Sequence, residues 1–222
     1  MNQKPFSFDT IKDFDGHIAA SIIGYENLQN LIIPLASNYI VPGCTVLDIG
    51  CSSARMIFEL NLRYSDAYYL GYDTAIQNLV DPRMYEYPNV KLYEKDVTTL
   101  SPIPDYKFGL MLFTFQFLPP EKRDDFLKRL LSSLLPGGAL IVAEKVYCSS
   151  AKIQDHFQFA HYDLKRLNFT SDQILQKQRD IRPLMKPLSE SELTSRFDLL
   201  FEDMRYELFW ASYNFRAWVI TK

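Results

Sequence analysis

At 222 residues the chain is long enough to bury a substantial core as one domain. With 47% hydrophobic and 23% charged residues it is ordinary for a globular protein, and a formal net charge of -3 gives no electrostatic case for nucleic-acid binding. Three cysteines without metal-ligand spacing, no apolar run of membrane-spanning length and no basic-then-apolar leader in residues 1–10 predict a reduced, cytoplasmic protein without metal or membrane contact.

Residues 1–20 are polar and aromatic and predict a loop with short helices. Leu28, Leu31, Ile32, Leu35 and Ala36 fall at helical spacing within Asn27–Tyr39, and Pro42-Gly43 closes that helix. Thr45–Ile49 reads as the first strand, Ala54–Arg63 as a helix, and Ala67–Tyr72 as a second strand ending at Asp73. A helix interrupted near Pro82 is predicted over Ala75–Tyr85. A third strand follows at Val90–Glu94, before Asp96, and a fourth at Phe108–Phe113. Glu121–Leu134 is amphipathic and is expected to end at Pro136-Gly137-Gly138, ahead of a fifth strand at Ala139–Val146. Ala151 to about Arg182 reads as one long helical region. Ser189–Phe197 is a helix with Ser189 as N-cap and Glu192 as its capping-box partner, and Met204–Trp210 and Ala217–Thr221 close the chain as strands. The alternation predicts an α/β fold: a mostly parallel, seven-stranded, Rossmann-like sheet covered on both faces, with a helical insertion over about 150–188.

Ligands on such sheets bind beyond the carboxyl ends of the strands. Val46-Leu47-Asp48-Ile49-Gly50-Cys51-Ser52-Ser53-Ala54 is a β-rich run, an acid, and a small-residue loop that feeds a helix. Gly50 allows the backbone to turn and approach a ligand, and Cys51 and Ser52 keep that approach open. A carboxylate at Asp48 would repel a pyrophosphate but suits a cationic ligand such as the amino group of S-adenosylmethionine. Asp73 would then accept from both ribose hydroxyls, with Thr74 beside it, while Asp96 accepts from the adenine amino group and the Val97 N–H donates to the ring. Each acid alone is as readily a solvated turn residue or a helix N-cap. Three in phase at successive strand ends favour a nucleoside site.

Asp48-Ile49-Gly50, Asp73, Asp96 and Leu134-Leu135-Pro136-Gly137-Gly138 resemble the class I S-adenosylmethionine-dependent methyltransferases over about residues 40–146. A narrower resemblance spans nearly the whole chain. Ser21-Ile22-Ile23-Gly24-Tyr25, Phe113-Thr114-Phe115-Gln116-Phe117-Leu118, Ala143-Glu144-Lys145, His161-Tyr162-Asp163-Leu164-Lys165-Arg166, Gln176-Lys177-Gln178-Arg179 and Tyr213-Asn214-Phe215, in that order, are similar to the carboxy-S-adenosyl-L-methionine synthase family. That family deprotonates the cofactor's methyl group to a sulfonium ylide, which captures the carbon dioxide released by prephenate. The products are carboxy-S-adenosylmethionine and phenylpyruvate, and a partner enzyme uses the former on the wobble uridine of tRNA.

The resemblance makes Tyr25 a cofactor-contacting tyrosine. It makes Arg179 the arginine that grips a carboxylate, reaching in from the neighbouring subunit of a homodimer. The insertion's Phe157, Phe159, Tyr162 and Phe169 would be buried in that dimer. Four departures from the pattern stand out: Ala54 stands for the second loop glycine, Ile23 for a proline, Leu167-Asn168-Phe169-Thr170 for Asn-Gly-Tyr-Ser, and Leu112 for a cofactor-contacting asparagine. Two other readings therefore stay open: an ordinary methyltransferase acting on a small carboxylate-bearing acceptor, and a non-catalytic cofactor-binding subunit of a tRNA-modifying complex.

Overall fold

The structure, a computed structural model, describes residues 13–76, 86–200 and 203–222, so the helix expected over Ala75–Tyr85 and the segment before Asp13 lie largely outside the described residues. Helix α1 (Phe14–Ser21) begins where the Asp13 side chain accepts from the Gly16 N–H, and α2 (Tyr25–Ala36) follows Gly24, whose φ of +80° turns the chain between them. Leu28, Ile32 and Ala36, four residues apart, are fully buried on one face of α2. The helix starts two residues before its expected position and ends three before, where the Asn38 side chain donates to the Leu35 carbonyl.

The remaining elements are β1 (Thr45–Ile49), α3 (Arg55–Asn61), β2 (Tyr68–Asp73), β3 (Val90–Glu94), β4 (Tyr106–Leu112), α4 (Pro120–Ser132), β5 (Leu134–Tyr147), α5 (Ala151–Lys165), α6 (Ser171–Ile181), β6 (Leu188–Ser189), α7 (Glu190–Leu200), β7 (Arg205–Ser212) and β8 (Phe215–Thr221). The strands lie in the order β3-β2-β1-β4-β5-β8-β7. Strands β1 to β5 are parallel, whereas β8 runs antiparallel to β5 and to β7. The two-residue β6 pairs with the end of β5, so the sheet has eight strands, the extra one too short to read from periodicity. The order reverses between β1 and β4, which opens a ligand crevice at their carboxyl ends.

Alternation along the strands feeds two apolar layers. Val46, Phe108, Leu110, Ile141 and Ala143 meet α2 and α3 on one face, while Leu47, Ile49, Leu140 and Val142 meet α4 and α7 on the other. In α4, Phe126, Leu127, Leu130 and Leu131 are wholly buried, each contributing about 1.5–3 kcal/mol of transfer free energy.

Three sequence expectations need correction. Pro136-Gly137-Gly138 does not separate α4 from the fifth strand; it lies within β5, where the six residues Leu134–Ala139 oppose the three residues Tyr106–Phe108. The bulged residues are tied down where the Gly137 N–H donates to the Lys222 carbonyl and Lys107 Nζ to the Pro136 carbonyl. The insertion is two helices, split at Arg166–Thr170, because Thr170 and Gln173 form a capping box that starts α6. Finally, α7 runs from Glu190 to Leu200, longer than expected, although its start is as predicted: Ser189 Oγ accepts from the Glu192 N–H and Glu192 Oε2 from the Ser189 N–H.

Candidate cofactor and substrate site

A cavity of about 1220 Å³ opens at the carboxyl ends of β1, β2, β4 and β5, roofed by α1 and α6. Gly50, Ser52, Asp73, Thr74, Asp96, Val97, Leu112 and Arg179 lie on its wall, while Tyr25, Asp48 and Cys51 stand one layer behind it, nearly or fully buried.

The loop after β1 is built on backbone contacts. The N–H groups of Gly50 and Cys51 both donate to the Tyr72 carbonyl, which fastens the loop to the end of β2. Gly50 has φ of +77°, and a Cβ there would meet Thr114 Oγ1 at 2.0 Å and Thr114 Cβ at 2.9 Å, so only glycine fits. Ala54 closes the loop as the N-cap of α3 with φ of 59°. It adopts the left-handed turn that a glycine would otherwise supply, which explains how the chain dispenses with one. Replacing Ala54 by glycine relieves about 1 kcal/mol of backbone strain but removes a buried methyl worth about 0.8 kcal/mol and adds unfolded-chain entropy. Chemical denaturation should therefore find Ala54→Gly within about 1 kcal/mol of the parent, on the destabilised side.

Asp48 is 4% exposed, with the Asp73 carboxylate as its charged neighbour. Burial, then the neighbouring Asp73 charge, pushes its pKa from 3.8 up to about 8. An acid held neutral in this way is a cost that a cation in the crevice would offset, and this is the observation that fits a sulfonium-bearing nucleoside to the site. Because the folded pKa is raised, Asp48 favours the ligand-free fold below pH 3.8, and that contribution is lost as pH rises through about 8. Binding a cation reverses the preference and releases the proton. Affinity for S-adenosylmethionine should therefore rise between pH 6 and 8 by at most about tenfold per unit and level off above. Calorimetry in buffers of different ionisation heat reads the released proton, and Asp48→Asn should abolish it.

The Tyr25 ring lies 6.1 Å from that of Phe113, with its phenol among Asp15, Asp48, Arg55 and Gln29; burial, then these carboxylates, raises its pKa, so it stays a neutral hydroxyl. Burial likewise keeps the Cys51 thiol protonated and unreactive.

Asp73 joins two loops: Oδ2 accepts from the Ser52 N–H at 3.0 Å and Oδ1 from the Ala75 N–H at 3.0 Å. Each carboxylate oxygen keeps a second acceptor position, enough for two ribose hydroxyls. Asp96 is the N-cap of a short turn over Val97–Thr99, with Oδ1 accepting from the N–H and hydroxyl of Thr98. Ser53 Oγ donates to Asp15 Oδ1 at 2.6 Å, which ties α1 over the loop.

The opposite wall holds residues to which sequence reading gave no role. Glu144 is 3% exposed, and its two oxygens accept from the N–H groups of Phe115 and Gln116, fixing the turn after β4. That turn places Leu112, Phe113 (φ 58°) and Thr114 along the cavity. Beside it stand Lys145, His161, Lys165, Lys177 and His17. Four of these five lie in segments quoted for the family resemblance, Lys145, His161, Lys165 and Lys177; only the fold shows that they meet.

Arg179, expected from a neighbouring subunit, is exposed on α6 and lines the cavity of its own chain. Of the four insertion aromatics expected at a dimer face, only Phe159 is exposed. Phe157 packs on Tyr213 at 5.2 Å and Phe169 on His17 at 5.5 Å, and Tyr162 is half-buried.

Comparison with known proteins agrees with this geometry. A family model described as a methyltransferase domain matches residues 46–138. A carboxy-S-adenosyl-L-methionine synthase of Shewanella piezotolerans is 31% identical over 183 residues, which cover 78% of this chain and 74% of that one. One of Shigella boydii is 29% identical over 218 residues, or 94% of this chain and 87% of that one. Among solved structures, a DhpI–SAH complex superposes with a TM-score of 0.61 at 13% identity, covering 96% of this chain and 92% of that one. Human N-acetylserotonin methyltransferase in complex with SAM gives 0.57 at 14%, covering 89% and 52%. The fold is thus the class I methyltransferase fold, and the chain belongs to the carboxy-S-adenosyl-L-methionine synthase family, S-adenosylmethionine-dependent transferases.

Proposed function

We propose that the protein converts S-adenosylmethionine and prephenate into carboxy-S-adenosylmethionine, phenylpyruvate and water. The observation that carries this reading is that one cavity is lined both by the strand-end acids Asp73 and Asp96 and by Arg179, Lys145, Lys165 and Lys177. The acids suit a cationic nucleoside, and the arginine and lysines suit an organic anion brought against it. The family relationship supports the same chemistry. The cofactor supplies an acidic methyl group beside a sulfonium. Atom balance requires the ring carboxylate of prephenate to leave as carbon dioxide and end on that methyl carbon. The ring hydroxyl departs on aromatisation and takes the methyl proton as water.

In this reading Arg179 grips the migrating carboxylate through its planar fork. Thr74 and Val97 border the nucleoside with Asp73 and Asp96, and Tyr25, Asp48 and Cys51 support the loop from behind. Positioning and fixed charge supply the rate, since no protein nucleophile is needed. We place the protein in the cytoplasm as a homodimer, each Arg179 serving its own cavity. Its product passes to a partner enzyme acting on the wobble uridine of tRNA, without direct nucleic-acid contact by this chain.

Leu112 favours a second reading, methyl transfer to a small carboxylate-bearing acceptor, because an apolar side chain stands at the wall where an asparagine would hydrogen-bond the cofactor. Mass spectrometry of the nucleoside released by denaturing the purified protein separates the two. Carboxy-S-adenosylmethionine supports the synthase. S-adenosylmethionine or its demethylated product alone supports methyl transfer.

A further inference from the structure

The cavity is larger than the roughly 300–1,000 Å³ that pockets for one small ligand commonly span, so it has room for a second molecule beside a nucleoside. The basic group that lines it comes from four elements: Lys145 from β5, His161 and Lys165 from α5, Lys177 from α6 and His17 from α1. Three of them share one polar cluster. Lys177 Nζ lies against His17 Nε2 and within 3.1 Å of Ser21 Oγ, while His161 Nε2 is 2.8 Å from the Ser21 carbonyl.

None of the five forms an ion pair among the described residues. Carboxylates that face the group or share its cavity are Asp13, which acts weakly on His17, and Asp172 and Asp180 on the cavity wall; Asp180 accepts from the Gln176 amide. Burial, followed by Lys177 and Lys145, lowers the Lys165 pKa to about 7, and burial lowers that of Lys177 to about 8. His17 and His161 fall to about 4 through burial and then the adjacent lysines. Three half-buried amino groups that line one space and make no ion pair among the described residues are unfavourable as cations in the free protein and complementary to a bound anion.

We propose that Lys145, Lys165 and Lys177 form a second anion subsite, which holds one carboxylate of an organic dianion whose other carboxylate lies at Arg179. This rests on the reading above and extends it. Arg179 takes the carboxylate that migrates, and the lysines take the one that remains on the product, here the pyruvyl carboxylate. The subsite thereby selects for a co-substrate with two carboxylates and keeps hold of the departing keto acid.

The test uses the full chain loaded with S-adenosylhomocysteine and phenylpyruvate, which carries only the retained carboxylate, as probe. Lys165→Gln with Lys177→Gln should weaken phenylpyruvate and prephenate binding by about 10- to 100-fold, as expected for lost charge-assisted contacts. S-adenosylhomocysteine affinity should stay within about twofold, and the melting temperature without ligand should be unchanged or higher, since a repulsion has been removed. Arg179→Leu should weaken prephenate and spare phenylpyruvate. If the double variant binds phenylpyruvate as the parent does, or the parent binds no carboxylate, the subsite is wrong. If the parent binds phenylpyruvate through these lysines but makes no carboxylated nucleoside from prephenate, the subsite stands and the synthase reading falls.

Discussion

Gly50→Ala should weaken S-adenosylmethionine binding by at least about 100-fold, equivalent to about 2.7 kcal/mol. The added Cβ would sit 2.0 Å from Thr114 Oγ1, 2.7 Å from its Cγ2 and 2.9 Å from its Cβ. No rotamer of Thr114 clears all three, so the backbone of the loop must move away from β4. At φ of +77° the alanine also carries about 1–2 kcal/mol of left-handed strain. The loop that moves carries the Ser52 N–H that holds Asp73, so the displacement reaches the carboxylate facing the ribose. Titration calorimetry gives the affinity. Thr114→Ala in the Gly50→Ala background should recover part of it, because two of the three close atoms disappear. Unchanged cofactor binding in the single variant would show that the loop does not contact the nucleoside.

Arg179→Leu should lower formation of the carboxylated product by about 100- to 1,000-fold, the range seen when one preorganised charge contact to a reacting group is removed. Cofactor affinity should survive, because Arg179 lies on α6 and not on the strand-end loops that carry Asp73 and Asp96. The side chain is exposed and unburdened by packing, so the variant should fold normally. Mixing this variant with an inactive Gly50→Ala chain discriminates the two possible sources of the arginine. If each arginine serves its own cavity, mixed dimers gain no activity. If it crosses the interface, as first expected from the family, mixing restores a share of it.

Much of this site was legible in the sequence because it depends on strand ends, and strand ends are marked by local chemistry. Asp48, Gly50 and Asp73 stand where an apolar β-rich run stops, and the alternation of Val46, Leu47, Asp48 and Ile49 predicts both buried faces. The sequence offers Asp96 both as a ligand acceptor and as an N-cap, and the structure gives it the cap while leaving it on the cavity wall. What escaped detection depends on long-range packing. Lys145, Lys165 and Lys177 sit on three elements spread over 33 positions of sequence, Lys145 at the end of an apolar strand and the other two on polar helices. The break between α5 and α6 was carried by Thr170 and Gln173, a capping pair inside an otherwise continuous helical pattern. Pro136-Gly137-Gly138 reads in sequence as a helix stop although it forms a strand bulge, because proline and glycine end helices as readily as they distort strands. Three of four insertion aromatics turned out to be packed or half-buried within the chain, a distinction that composition cannot make.

The most direct measurement is the fate of isotopically labelled prephenate. The purified protein is incubated with S-adenosylmethionine and prephenate labelled in the ring carboxylate, and nucleosides and keto acids are resolved by mass spectrometry. Carboxy-S-adenosylmethionine carrying the label, formed together with unlabelled phenylpyruvate in equal amount, is the predicted result. Release of the label as free carbon dioxide without a labelled nucleoside, or turnover of S-adenosylmethionine to S-adenosylhomocysteine independent of prephenate, would contradict it.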